Sequence, residues 1–185
     1  MRDAVTALGH AQFDGFAKIR EIGPIGMISL RATPDVKGLA KAIKAVTGTV
    51  VPAMRQIVVN GHFAAGWMSP DEYLLILPYG DTDAALGLLD KSLKGQHYLA
   101  AVVSDARSVF RVEAVKADQV LAKLAPVDFA TLAPGELRRS RTAQVAAAFW
   151  CDEEGYTVVC FRSVASYVFG LLTHSAMLGS ELREG

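Results

Sequence analysis

A chain of 185 residues, 51% hydrophobic and 21% charged, has a globular composition and the length of one domain, or of one domain made of two similar halves. Its 19 basic and 19 acidic residues cancel, and no basic stripe supports nucleic-acid binding. A neutral chain of positive mean hydropathy lacks the charge excess that keeps a protein soluble alone, which fits apolar surface covered by a partner as well as it fits a slightly apolar monomer.

Residues 1–24, ending in Gly23-Pro24, are weakly patterned and read as an extended arm. GMISLRA at 26–32 alternates as a half-buried strand. Thr33-Pro34-Asp35 carries a helix-start signature, Val36, Leu39, Ala40 and Ile43 recur at helical spacing, and Gly48 stops the helix. A short strand is expected near RQIVVN. AAGWMSPDEYLLILP then reads as a hairpin that ends one strand near Trp67, turns at Ser69-Pro70-Asp71 and returns through Tyr73 to Leu77. GDTDAALGLLDKSLKG is a helix with Leu86, Leu89 and Leu93 on one face, capped by Asp81, Thr82 or Asp83 and ended by Gly95.

The order then repeats. YLAAVVSDARSVFRVEAV is expected as a pair of strands. KADQVLAKLAPVDF is a helix with Val120, Leu121 and Leu124 inward, and TLAPGELRRS is a loop. RTAQVAAAFWCDEEGYTVVCFRS is a second hairpin, and VASYVFGLLTHSAML a final helix with Val168, Phe169, Leu172 and Ala176 on a face. Residues 179–185 form a polar tail. An offset of 82 sets Ile28 on Phe110 and Leu30 on Val112; an offset of 83 sets Trp67 on Trp150 and Tyr73 on Tyr156. The expected fold is α+β and internally duplicated, one domain over 25–178 with halves at about 25–96 and 97–178, each an antiparallel sheet with helices on one face. Halves of this size are marginal alone, so they are expected to bury faces against each other or across a shared sheet.

Few residues offer chemistry. His10, His62, His97 and His174 are scattered without metal-ligand spacing, and no glycine-rich phosphate loop or GxSxG elbow occurs. Ser163 reads as a helix N-cap in preference to a nucleophile. The acidic pairs Asp71-Glu72 and Asp152-Glu153-Glu154 fall at hairpin turns, where solvated carboxylates are the ordinary reading and acid–base catalysis the sharper one. Arg107 and Arg162 flank apolar strands; they could clamp a carboxylate or a partner's acidic group, or pair internally with Asp105 or Asp152. The tryptophans read as core or docking anchors. Cys151 and Cys160 form no CxxC and are expected as buried thiols in a reducing compartment. No apolar run reaches the roughly 18 residues that span a bilayer, and the opening MRDAVTALGHAQFDG has no secretory h-region, so a cytoplasmic location is expected.

WMSPDEYLLILP followed by a helix, VVSDARSVFRVEAVKADQVLAKLAPVDF, and FRSVASYVFGLL resemble the gamma subunit of heterotetrameric sarcosine oxidase, over roughly residues 25–178. The stretch SDARSVFRVEAVKADQVLAKL is also similar to the aminomethyltransferase (T-protein) of the glycine cleavage system, which shares a duplicated folate-binding fold. The resemblance implies a non-catalytic subunit that works with alpha, beta and delta partners. That assembly oxidatively demethylates sarcosine to glycine, forms hydrogen peroxide and passes the one-carbon unit to tetrahydrofolate. FAD, FMN, NAD, zinc and tetrahydrofolate are implied for the partner subunits, with no catalytic, cofactor-binding or metal residue in this chain. The aminomethyltransferase pattern has a Gly-Gly-x-x-Asp-Asp hairpin; here the matching segment is AAAFWCDEEGY, with Phe149-Trp150 where a ligand would need space. The alternative is a stand-alone folate-binding or folate-dependent aminomethyltransferase-like protein, with Asp152 or Glu153 as its acid.

Overall fold

The computed structural model describes residues 4–182. In chain order it runs β1 (Gln12–Asp14), β2 (Lys18–Ile22), β3 (Ile25–Arg31), α1 (Leu39–Thr47), β4 (Ile57–Asn60), β5 (Phe63–Ser69), β6 (Glu72–Pro78), α2 (Thr82–Ser92), β7 (Leu99–Val102), β8 (Arg107–Glu113), α3 (Ala117–Ala122), β9 (Leu137–Thr142), β10 (Val145–Asp152), β11 (Gly155–Phe161) and α4 (Ala165–Ser175). The chain divides into two compact units, one spanning Ile25–Asp105 and the other combining the segment up to Pro24 with the chain from Ala106. The fold is α+β, with an antiparallel sheet and two helices in each unit.

The first unit, 25–105, has the strand order β4-β5-β6-β3-β7. Alternation sends Ile28 and Leu30 of β3, and Tyr73, Leu75 and Leu77 of β6, to one face, where they meet Leu39 and Ile43 of α1 and Leu89 of α2. Helix α1 starts later than Thr33-Pro34-Asp35 suggests. Gly38 sits at φ 86°, a left-handed conformation that no helix interior tolerates, so 33–38 form turns and the helix begins at Leu39. Gly48, at φ 70°, ends it as its position suggests, its N–H donating to the Lys44 carbonyl. The start of α2 has no side-chain cap; Thr82 Oγ1 instead donates back to the Tyr79 carbonyl at 3.2 Å.

The second unit has the order β1-β2-β8-β11-β10-β9. Its helix-side core joins Phe110 and Val112 of β8, Phe149 of β10, Val158 of β11, Leu121 of α3 and Leu172 of α4. Phe129, from the segment before β9, stands edge-on to both Phe149 and Tyr156, at centroid distances of 5.2 and 5.6 Å.

Five strands of each unit correspond in order, and β1 is an additional edge strand of the second. β3 lies between β6 and β7 as β8 lies between β11 and β2. Ile28 pairs with Leu75 and Leu30 with Tyr73, while Phe110 pairs with Val158 and Val112 with Tyr156, which are the 82 and 83 offsets read from the sequence. Three local readings change. Residues 99–102 do not pair with β8; β7 joins β3, Ile28 opposite Val102. The matching slot beside β8 is filled by β2, Ile19 opposite Val112. The described part of the segment read as an arm therefore contains two strands of the second sheet, and the first unit runs to Asp105 rather than to residue 96. The segment read as the loop TLAPGELRRS ends in the first four residues of β9, an edge strand paired with β10. Its polar sequence hides it, because an edge strand needs a ladder on one side only. Of the tail, 179–182 pack on α3: Lys123 Nζ donates to the Ser180 carbonyl, and the Leu182 N–H to Gln119 Oε1 at 2.9 Å. Residues 183–185 lie outside the described residues.

Candidate functional site

The hairpin carboxylates are the residues whose chemistry depends most on surroundings. Asp152 closes β10. Its Oδ1 and Oδ2 each accept a 2.8 Å hydrogen bond from the Arg111 guanidinium, a bidentate pair. Oδ1 also accepts the Glu154 and Gly155 N–H groups at 3.0 and 3.2 Å. Gly155 suits this turn because its φ is 152° and a Cβ there would meet the Val112 carbonyl oxygen at 2.2 Å. Burial pushes the Asp152 carboxyl up, but the hydrogen bonds from Arg111 and the turn outweigh it and hold it below its ordinary value. Such a carboxylate keeps its charge and is already engaged by four donors; it is poorly suited to accept a substrate proton.

Arg111 is the buried centre of this group, 7% exposed. It also donates to Thr157 Oγ1 at 2.9 Å, and its Nε lies 3.6 Å from Glu113 Oε1. Glu113 in turn accepts Arg20 Nε at 3.0 Å and pairs with Arg20 NH2. The hydrogen bond from Arg20 lowers the Glu113 carboxyl, against burial. The result is a chain of alternating charges, Arg20, Glu113, Arg111 and Asp152, across β2, β8 and β10.

The first unit neutralises its own hairpin more simply. Asp71 Oδ2 accepts Arg31 NH2 at 2.6 Å and Oδ1 accepts Ser69 Oγ at 2.9 Å, both lowering its carboxyl. Glu72 Oε1 accepts Ser29 Oγ at 3.1 Å.

The flanking arginines do other work. Arg107 lies over the Phe161 ring, 4.1 Å from its centroid. Arg162 donates to the Val5 and Thr6 carbonyls at 3.0 Å each. Asp105 accepts the Tyr79 hydroxyl at 3.0 Å. Arg162 thus holds backbone carbonyls, and the guanidinium on Asp152 is that of Arg111. Ser163 lies in a short 3-10 turn, and α4 starts without a side-chain cap, so the capping role fails there. Among the described residues no three His, Cys, Asp or Glu side chains gather as a metal site. Cys151 and Cys160 are free and buried, and burial pushes the Cys160 thiol up to about 12.

Sequence reasoning passed over Arg111 and Glu21. Arg111 had a signal: a charge between Phe110 and Val112 in an apolar strand must point to the other face and needs a partner there. Glu21 is 4% exposed and accepts the Leu8 and His10 N–H groups and Ser108 Oγ. Burial raises its carboxyl, but bonds from Thr6, Leu8 and Ser108 outweigh that.

The second hairpin carries Phe149-Trp150 in place of the glycines of the aminomethyltransferase pattern, and its Asp152 is engaged by Arg111. Phe149 fills the helix-side core with 0% exposure, and the one carboxylate of the β10 strand takes one hydrogen bond from Arg111 on each oxygen. What the fold and this hairpin define is a duplicated α+β protein whose two hairpin aspartates, Asp71 and Asp152, are each paired with an arginine of the same unit.

Comparison with known proteins agrees. The sarcosine oxidase, gamma subunit family matches residues 32–177. Sarcosine oxidase subunit gamma from an Arthrobacter species is 31% identical over 150 residues, which is 78% of this chain and 71% of that protein. Heterotetrameric sarcosine oxidase from Corynebacterium sp. U-96 contains a chain of the same fold, with a TM-score of 0.80 at 23% identity over 94% of this chain and 91% of that one. Aminomethyltransferase T of the glycine cleavage system from Bartonella henselae shares the fold at a TM-score of 0.64 and 13% identity, over 85% of this chain and 45% of that one. The chain belongs to the sarcosine oxidase gamma subunit family.

Proposed function

We propose that this chain is the gamma subunit of a four-subunit sarcosine oxidase and supplies folded surface rather than reacting groups. Its partners are the alpha, beta and delta subunits. They carry FAD, FMN, NAD, zinc and the tetrahydrofolate that accepts the one-carbon unit as sarcosine becomes glycine. One observation carries this reading beyond family membership: the aspartates of the two hairpins, Asp152 and Asp71, are each bound by an arginine of the same unit. Two buried free thiols fit a reducing, cytoplasmic setting. No helix among the described residues is long and apolar enough to cross a membrane.

The test is reconstitution. The pure chain is expected to show no flavin absorbance and no sarcosine-dependent peroxide formation, and adding it to the other three subunits should restore activity. Full activity of the three subunits without it would overturn the reading. Titration of the pure chain with tetrahydrofolate is expected to show no saturable binding; micromolar binding would favour a stand-alone folate protein.

A further inference from the structure

The four sheet edges differ in length and charge. β1 has three residues, and β4 and β7 have four each, with no charged side chain in IVVN or LAAV. β9 is the longest, six residues reading LRRSRT. It pairs with β10 on one side and ends the order of its sheet on the other. From Leu137 to Cys151 the chain carries three arginines and no acidic residue, within a protein of zero net charge. Arg138 is bound by Glu136 at 3.1 Å, just outside the strand. Arg139 and Arg141 are exposed. They stand opposite Ala148 and Ala146 of β10, so both project from the sheet face away from the helices.

We propose that the outer edge of β9 is a docking edge for an extended acidic segment of a partner chain, which adds to the second unit's sheet as a further strand. The proposal rests on the subunit reading above and names a surface for that assembly. Backbone N–H and C=O groups along an open edge give such a segment its main-chain ladder. Carboxylates at alternate positions would face Arg139 and Arg141, which supply bidentate donors and set the register. A second copy of this chain is disfavoured as occupant, because β9 against β9 sets three arginines against three. The charge also suits steering, so salt should weaken the contact.

The test uses the full chain, alone and reconstituted with the other three subunits, followed by hydrogen exchange. Amides of 137–142 are expected to exchange at least tenfold more slowly in the assembly. Arg139→Glu/Arg141→Glu should keep the parent's thermal midpoint and weaken assembly at least tenfold at low salt, with a smaller deficit at high salt. Lys41→Glu/Lys44→Glu, an equal charge change on the exposed side of α1, should assemble like the parent. If the charge reversal misfolds, Arg139→Gln/Arg141→Gln with the same exchange readout takes its place. Assembly without slowed exchange in β9, or unaffected by the arginine variants, overturns the docking edge and leaves the subunit reading standing. Failure of the parent itself to assemble overturns both. Loss of binding to a single-stranded oligonucleotide, with assembly unchanged, would assign the arginines to nucleic acid and also overturn the proposal.

Discussion

Trp67 and Trp150 begin matching segments of sequence, yet they face opposite ways. Trp67 stands across from Tyr73 and packs on the helix-side core of its unit. Trp150 stands across from Thr157, between Phe149 and Cys151, whose side chains take the helix side. The cause is one residue. In the first hairpin Trp67 pairs with Tyr73 and Ser69 with Glu72, so Met68 is an extra residue, a β-bulge. The second hairpin has no bulge, and the residue opposite Tyr156 is Cys151. Because side chains alternate with a period of two, this single insertion moves the tryptophan to the other face. By cross-strand pairing the counterpart of Phe149 is Ala65, since they face Val158 and Leu75 respectively. The units share a backbone plan while filling it with different side chains at shifted positions.

Removal of residues 1–24 tests the contrast most severely, because only the second unit borrows a distant strand. Without β2 the edge of β8 is bare and Ile19 leaves the core. Amides of the second unit are expected to lose protection, while those of 25–105 keep theirs in the same hydrogen-exchange experiment. Equal loss in both units would deny that the strand serves one sheet alone.

Phe149→Ala should cost about 3–5 kcal/mol in denaturant unfolding, since it removes a fully buried ring that packs edge-on to Phe129 in the second core. A cost under about 1 kcal/mol would mean that the second core does not depend on the residue that replaces Ala65.

The ion pairs should separate next. Arg111→Met leaves Asp152, Glu113 and Thr157 without their shared donor and is expected to cost about 2 kcal/mol. Arg31→Met breaks an exposed pair, and its midpoint should stay within the error of the parent. Equal effects would remove the distinction between a buried charge chain and a surface bridge.

Acid should act on the same distinction most gently. Glu21, Glu113 and Asp152 all sit below their ordinary values in the folded state. A lowered carboxylate stabilises the fold at neutral pH and loses that contribution as pH falls below the ordinary range near ~4 toward the lowered value. Protection of the second unit should therefore decline first on acidification below pH ~4. A first unit that loosens earlier would contradict this.

Much of the plan was legible because it rests on period and punctuation. Ile28 and Leu30 in β3, the stop at Gly48 and the turn at Ser69-Pro70-Asp71 each carry a local signal that the fold obeys. The misreadings share a cause: the deciding information lies elsewhere in the chain. β2 has just two apolar residues, Ile19 and Ile22, and gains its place by pairing with β8, some ninety residues on. Residues 99–102 read as a strand correctly but had their neighbour wrong, because adjacency in sequence favoured β8 over β3. The candidate site shows the same limit. That Asp152 and Asp71 sit at turns was visible; that Arg111 reaches the first across one intervening strand, β11, was not.

The placement of β2 also fixes an order of events during synthesis. Chains emerge N-terminus first, and domains fold as units once complete. The first unit has all its strands when residue 105 has left the ribosome. Residues 12–22 emerge before any of it, yet their partner β8 comes later, and α4 later still. The β1–β2 hairpin thus waits without β8 while a whole neighbour folds after it. This protein closes its second unit with the two ends of its described chain, so that unit is finished last.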